Sequence, residues 1–182
     1  KSYQGSKNYF TIRMKLLKDI VYGVSIREIK GNTNIAIDNI SFDSRKVNGL
    51  SLFVAVNGTS VDGHNFINKA EQNGACAIIC ENLPKELTKS ITYIKVPNSS
   101  EALSIIASNF YDNPSENLKL IGITGTNGKT TSASLLYDLF RLLGHKVGLI
   151  STVNIRIQHK ILPATHTTPD AISVNRILRE ML

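Results

Sequence analysis

No apolar run in this 182-residue chain approaches the roughly 18 residues a membrane-spanning helix needs. That argues against a membrane protein and against an obvious secreted precursor. Cysteine is scarce as well. The two present, Cys76 and Cys80, lie in an apolar segment that reads as a buried strand. Four residues along a strand span about 13 Å, beyond the reach of a disulfide. They read as core thiols of a reducing compartment, with no C-x-x-C spacing or nearby histidine pair to suggest a metal. Low-complexity segments and internal repeats are absent. A lysine or arginine tract is missing too, despite a net charge of +7. Without basic and aromatic clusters the charge does not indicate a nucleic-acid partner, and it suits a protein that handles anionic nucleotides. What remains is ordinary: 42% hydrophobic and 19% charged residues, in a length that fits one large or two small domains.

Residues 1–13 carry Lys1, Lys7 and Arg13 without an acidic residue and show neither helical nor strand periodicity. Because Met14 looks like a native start, they read as an upstream extension or tag remnant without order. A short helix is expected at 14–22, then strands at 35–42 and 51–56, the second stopped by Asn57-Gly58. Phe66, Ile67 and Ala70 mark a helix over 64–73, closed by Gly74. Strands follow at 75–80 and 92–96. Ser99-Ser100 opens a helix to about Tyr111, with Leu103, Ile106, Ala107 and Phe110 as its apolar stripe. The polar, Pro-containing stretch 113–117 is the expected linker between a domain at 14–112 and a second at 118–182.

The second domain holds the most informative segment. An apolar run at 118–124 leads into Gly125-Thr126-Asn127-Gly128-Lys129-Thr130-Thr131 and then an amphipathic helix. Glycines let backbone N–H groups curl around phosphate oxygens, the lysine reaches the terminal phosphates, and the first threonine hydroxyl can ligate Mg²⁺. The helix adds its positive N-terminal end. The strict G-x-x-x-x-G-K-[ST] pattern would have glycine where this chain has Ile123, so the loop is a variant. Leu135, Leu136, Leu139, Phe140 and Leu143 are expected to form the buried face of the following helix, Gly144 its end, and 146–151 a returning parallel strand of a βαβ unit. A last helix starts after Thr168-Pro169-Asp170. A nucleotide-binding α/β domain needs more strands than these, so the chain is expected to stop partway through it.

Upstream, Asp43-Ser44-Arg45 offers an acceptor, a hydroxyl and a cation to a uracil edge or diphosphate, or else forms a solvated turn closed by an Asp–Arg pair. The loop 57–63 could wrap an anion or be a plain turn. His64 reads as a helix-start residue, and His145 as a favourable charge past a helix end. His159 falls in a hairpin, and His166 beside the Thr-Thr pair is a candidate substrate neighbour.

Taken together, these motifs resemble the Mur ligases, the ATP-dependent amide synthetases of peptidoglycan precursor assembly. The Gly125–Thr131 loop is similar to their ATP loop, in which Ile123 is normal. Asp43-Ser44-Arg45, the run Gly49 to Ala55 and Asp62-Gly63-His64 resemble their uridine-nucleotide-binding first domain. Thr167-Thr168-Pro169 resembles their sugar-peptide contact. The resemblance covers roughly residues 14–182. It implies an α/β fold: a small uridine-nucleotide-binding domain followed by the start of a P-loop mononucleotide-binding domain. It also implies cytoplasmic location, in line with the cysteine usage.

The member most resembled adds a diamino acid, meso-diaminopimelate or L-lysine, to the D-Glu side-chain carboxylate of UDP-MurNAc-L-Ala-D-Glu through an acyl-phosphate. The resemblance implies ATP and Mg²⁺ as cofactors and neither nucleic acid nor membrane as partner. Carried over residue by residue, it makes Gly125, Thr126, Asn127, Gly128, Lys129, Thr130 and Thr131 the ATP site. Lys129 is the catalytic cation and Thr130 the Mg²⁺ ligand. Phe42, Ser44, Thr59, Ser60, Val61, Thr167 and Thr168 become contacts to the uridine substrate. The family's later metal-binding glutamate, modified lysine and amino-acid-binding domain would lie beyond Leu182, leaving this chain inactive alone. The alternatives are the sister ligase that adds D-Ala-D-Ala and a non-catalytic nucleotide-binding remnant.

Overall fold

The computed structural model describes residues 14–58, 61–158, 160–163 and 169–182. The chain divides into two compact units, 1–106 and 107–182. That division falls inside a helix rather than at the expected linker 113–117.

The first unit is built on a five-stranded sheet. Its strands are β2 (Glu28–Lys30), β4 (Asn39–Ser41), β5 (Ser51–Val54), β6 (Ala75–Cys80) and β7 (Thr92–Lys95). In space they run β2-β7-β6-β5-β4, with β4 to β7 parallel and β2 antiparallel at one edge. Every residue of β5 is buried, and so is β6 apart from half-buried Cys76. Burial on both faces is what a parallel sheet requires, and it explains the continuous apolar runs. A second, two-stranded sheet joins β1 (Lys15–Leu16) to β3 (Ala36–Ile37). The helices are α1 (Leu17–Ile20), α2 (Ile67–Gln72) and α3 (Ser99–Phe110), the last running past the division between units. Ile67 and Ala70 of α2 join Phe53, Ile78 and Tyr93 in one core cluster. Gly74 ends α2 at φ +97°, donating its N–H to Glu71 O (3.0 Å), as a glycine cap should.

Several expectations need correcting here. The helix expected at 14–22 begins as strand, because β1 pairs with β3 and Leu17 and Lys18 donate N–H groups to Ile35 and Thr33 carbonyls. Only four residues remain helical. The strand 35–42 breaks at Asp38, whose N–H turns to Leu50 O, so β3 and β4 serve different sheets. Strand β2 has no counterpart in the reading above. It is an edge strand with Ile29 43% exposed, held by pairing with β7 rather than by burial. The helix α3 is capped by Asn98, whose Oδ1 accepts from the N–H groups of Ser100 and Glu101, and not by the serines that follow.

The second unit contains α4 (Lys129–Leu142), a meander of β8 (Gly148–Ile150), β9 (Asn154–Ile157) and β10 (Lys160–Pro163), and α5 (Ala171–Met181). The meander is antiparallel throughout, in the order β10-β9-β8. Ile155, Ile157 and Ile177 form its core. Asp170 caps α5, accepting from Ser173 N–H and hydroxyl at 2.9 and 2.7 Å. The expected parallel βαβ unit is not formed. Residues 118–124 are unpaired, with Leu120 and Ile121 60% and 62% exposed. A strand exists only through its ladder, and among the described residues β8 pairs with β9 alone. The face expected to bury α4 is also displaced. Tyr137 is the buried residue, Leu136 and Phe140 are half-buried, and Leu135, Leu139 and Leu143 are exposed, because α4 packs on β8 from one side only.

Candidate functional site

The chemistry-bearing residues fall into one group in each unit. In the second unit the segment 125–128 bends into α4. Gly125 sits at φ +148° and Gly128 at φ +77°, the latter as the N-cap of the helix. A left-handed N-cap is glycine's natural role, and Gly128 brings no side chain to satisfy the first-turn N–H groups of α4. Those donors, four of which lack intrahelical partners, therefore converge on one point with the positive end of the helix dipole. The Lys129 ammonium folds back over the loop and donates to the carbonyls of Gly125 and Thr126, the second at 3.2 Å. Thr126, Asn127, Thr130 and Thr131 are exposed around it. Lys129 and Thr130 also line a cavity of about 420 Å³ whose other walls include Leu136, Tyr137 and Phe140.

This arrangement fits a nucleoside triphosphate with magnesium. Glycine backbone can cradle phosphate, the Lys129 ammonium lies over the loop, and Thr130 stands in the first turn of α4. Among the described residues no group of three or more His, Cys, Asp or Glu could hold a metal. Thr130 would offer Mg²⁺ a hydroxyl ligand beside the phosphates.

In the first unit the candidate residues follow parallel strands. Phe42 and Ser44 come directly after β4, and Asn57, Gly58, Val61 and Asp62 follow the neighbouring β5. Adjacent parallel strands deliver both segments to the carboxyl edge of the sheet, where open α/β sheets bind ligands. Phe42 is 42% exposed and Val61 56%. Ser44 is buried, and its carbonyl accepts from Asn73 Nδ2 at 2.7 Å. The turn reading of Asp43 and Arg45 is realised: the guanidinium donates Nε and Nη2 to the two carboxylate oxygens, both at 2.9 Å. This pair holds the Asp43 carboxyl below the usual carboxylate range. Thr59, Ser60, His159, His166, Thr167 and Thr168 lie outside the described residues.

Spacing gave no notice of one polar cluster at the same sheet edge. His64 Nδ1 lies 2.6 Å from Asp62 Oδ1, and its Nε2 accepts the Glu81 N–H at 2.9 Å. Glu81 in turn accepts from Ser99 N–H and hydroxyl, both at 2.8 Å. The Ser99 bonds keep the Glu81 carboxyl low, and the His64 N–H does the same for Asp62. Asp62-Gly63-His64 was visible as a motif, but its partners stand 17 or more residues away. His145 donates its N–H to Phe140 O at the end of α4 and stacks edge-on against that ring, a structural role.

Comparison with known proteins joins the two groups. Residues 36–111 match the model of the Mur ligase family, catalytic domain, and residues 123–182 match the Mur ligase middle domain. A UDP-N-acetylmuramoyl-L-alanyl-D-glutamate–2,6-diaminopimelate ligase of Cytophaga hutchinsonii is 55% identical over 167 residues, covering 91% of this chain and 34% of the relative. The Bacteroides fragilis protein of the same name is 50% identical over 165 residues, with the same coverage. The chain thus spans about a third of the length of the curated relatives it matches. A solved structure of a ligase of that name superposes with a TM-score of 0.73 at 23% identity, covering 93% of this chain and 34% of the other. MurF from Acinetobacter baumannii does so at 0.59 and 21%, with the same coverage. Both show the fold, an α/β arrangement shared along nearly the whole chain. From its strand edge to its phosphate loop, this chain belongs to the Mur ligase family.

Proposed function

We propose that this chain forms the uridine-substrate-binding and nucleotide-binding part of an ATP-dependent ligase. The whole enzyme would join 2,6-diaminopimelate to the D-Glu side-chain carboxylate of UDP-MurNAc-L-Ala-D-Glu. The observation that carries the reading is the phosphate loop, with Lys129 poised over glycine backbone at the uncapped start of α4. The names of relatives 46–55% identical supply the substrate and narrow the choice of diamino acid.

In such a ligation the carboxylate oxygen attacks the γ-phosphorus and ADP departs. The diaminopimelate amine then attacks the acyl-phosphate carbon, expels phosphate and loses a proton. Positioning and charge neutralisation dominate this chemistry. Lys129 would neutralise the terminal phosphates, and the backbone of residues 125–130 would hold the phosphate chain. Magnesium, with Thr130 as one of its ligands, would supply further neutralisation. Phe42, Ser44, Thr59, Ser60 and Val61 would hold the uridine end, and Thr167 and Thr168 the sugar-peptide. Among the described residues no helix is long and apolar enough to cross a membrane, which suits a cytoplasmic enzyme working on soluble nucleotides. On this reading the chain alone binds but does not ligate.

The test is a calorimetric titration of the chain with UDP-MurNAc-L-Ala-D-Glu, with UDP and with Mg-ATP. Ser44→Ala should weaken only the uridine ligands, and Lys129→Ala only ATP, each by about tenfold, the 1.4 kcal/mol worth of one lost polar contact. A folded chain that binds neither class, or variants that leave both affinities unchanged, would remove the assignment.

A further inference from the structure

We draw no further inference here: the strongest candidate, the exposed apolar face of α4 formed by Leu135, Leu139 and Leu142, carries nothing because nothing among the described residues shows what covers it.

Discussion

Tyr93 is 1% exposed in the middle of β7, yet its hydroxyl is fully engaged. It donates to Glu71 Oε1 of α2 at 2.7 Å and accepts Thr88 N–H at 3.1 Å. One phenol thus ties a helix and the long connection before β7 to the sheet. Tyr93→Phe keeps the ring and removes both bonds. Glu71 retains the Thr88 hydroxyl at 3.2 Å, so the main loss is one bond to a charged group and a stranded N–H. Bonds to charged groups contribute about 1.5–3 kcal/mol and a stranded donor costs a similar amount, partly relieved by water; about 2 kcal/mol is expected. For a unit of about 100 residues that corresponds to a fall in Tm of about 8 °C. Thermal and urea denaturation followed by circular dichroism would measure it.

A second signature follows from the phenol's raised pKa, caused first by burial and then by the bond to Glu71. Above pH 10 the unfolded tyrosine ionises while the native one stays protonated. The native state then binds more protons, and stability falls as pH rises. The Phe variant should lose that part of the alkaline decline. A variant within 0.5 kcal/mol of the unmodified chain, with the same alkaline profile, would refute the reasoning.

Two other perturbations discriminate local features. At Gly63 an added methyl would lie 2.6 Å from Val56 O and 2.7 Å from Val56 N, backbone that cannot swing away; Gly63→Ala should cost about 2 kcal/mol. Gly49→Ala, with nothing within 4 Å, should change stability by less than about 0.5 kcal/mol in the same denaturation assay, and equal losses at both positions would contradict the packing argument. The thiols should also differ in access: burial pushes Cys80 up to about 11 and raises Cys76 too, but Cys76 is only half-buried. At pH 8 a thiol reagent should label Cys76 in the native chain and both in denaturant, and Cys76→Ser should leave the folded protein nearly inert. Rapid labelling of Cys80 in the folded chain would refute its burial.

The elements that could be read in advance are those whose burial writes a period into the chain. Ile67 and Ala70 in α2, and Leu103, Ile106 and Phe110 in α3, face a core and repeat accordingly. Strand β2 could not be read that way, because an edge strand with exposed Ile29 owes its existence to a neighbour. Segment 118–124 shows the converse, a strand-like composition with no ladder to join. In α4 the leucines repeat at helical spacing, but spacing does not say which residues have something to pack on. The candidate loop 125–131 could be picked out because its residues are contiguous. The cluster around His64 was not, because it brings in Glu81 from the end of β6 and Ser99 from the start of α3.

The unpaired approach to the phosphate loop has a thermodynamic consequence. Gly125 is reached through backbone whose preceding residues are exposed and unlocked by any ladder. A triphosphate bound there, as proposed above, would have to restrain that approach itself. Fixing only two residues costs about 2–4 kcal/mol, which would lower affinity by about one and a half to three orders of magnitude. On the proposed function, a strand that paired with 118–124 would tighten nucleotide binding without touching a phosphate, and the nucleotide would reciprocally favour the pairing. Nucleotide affinity would then be a gauge of sheet completion, readable in a test tube.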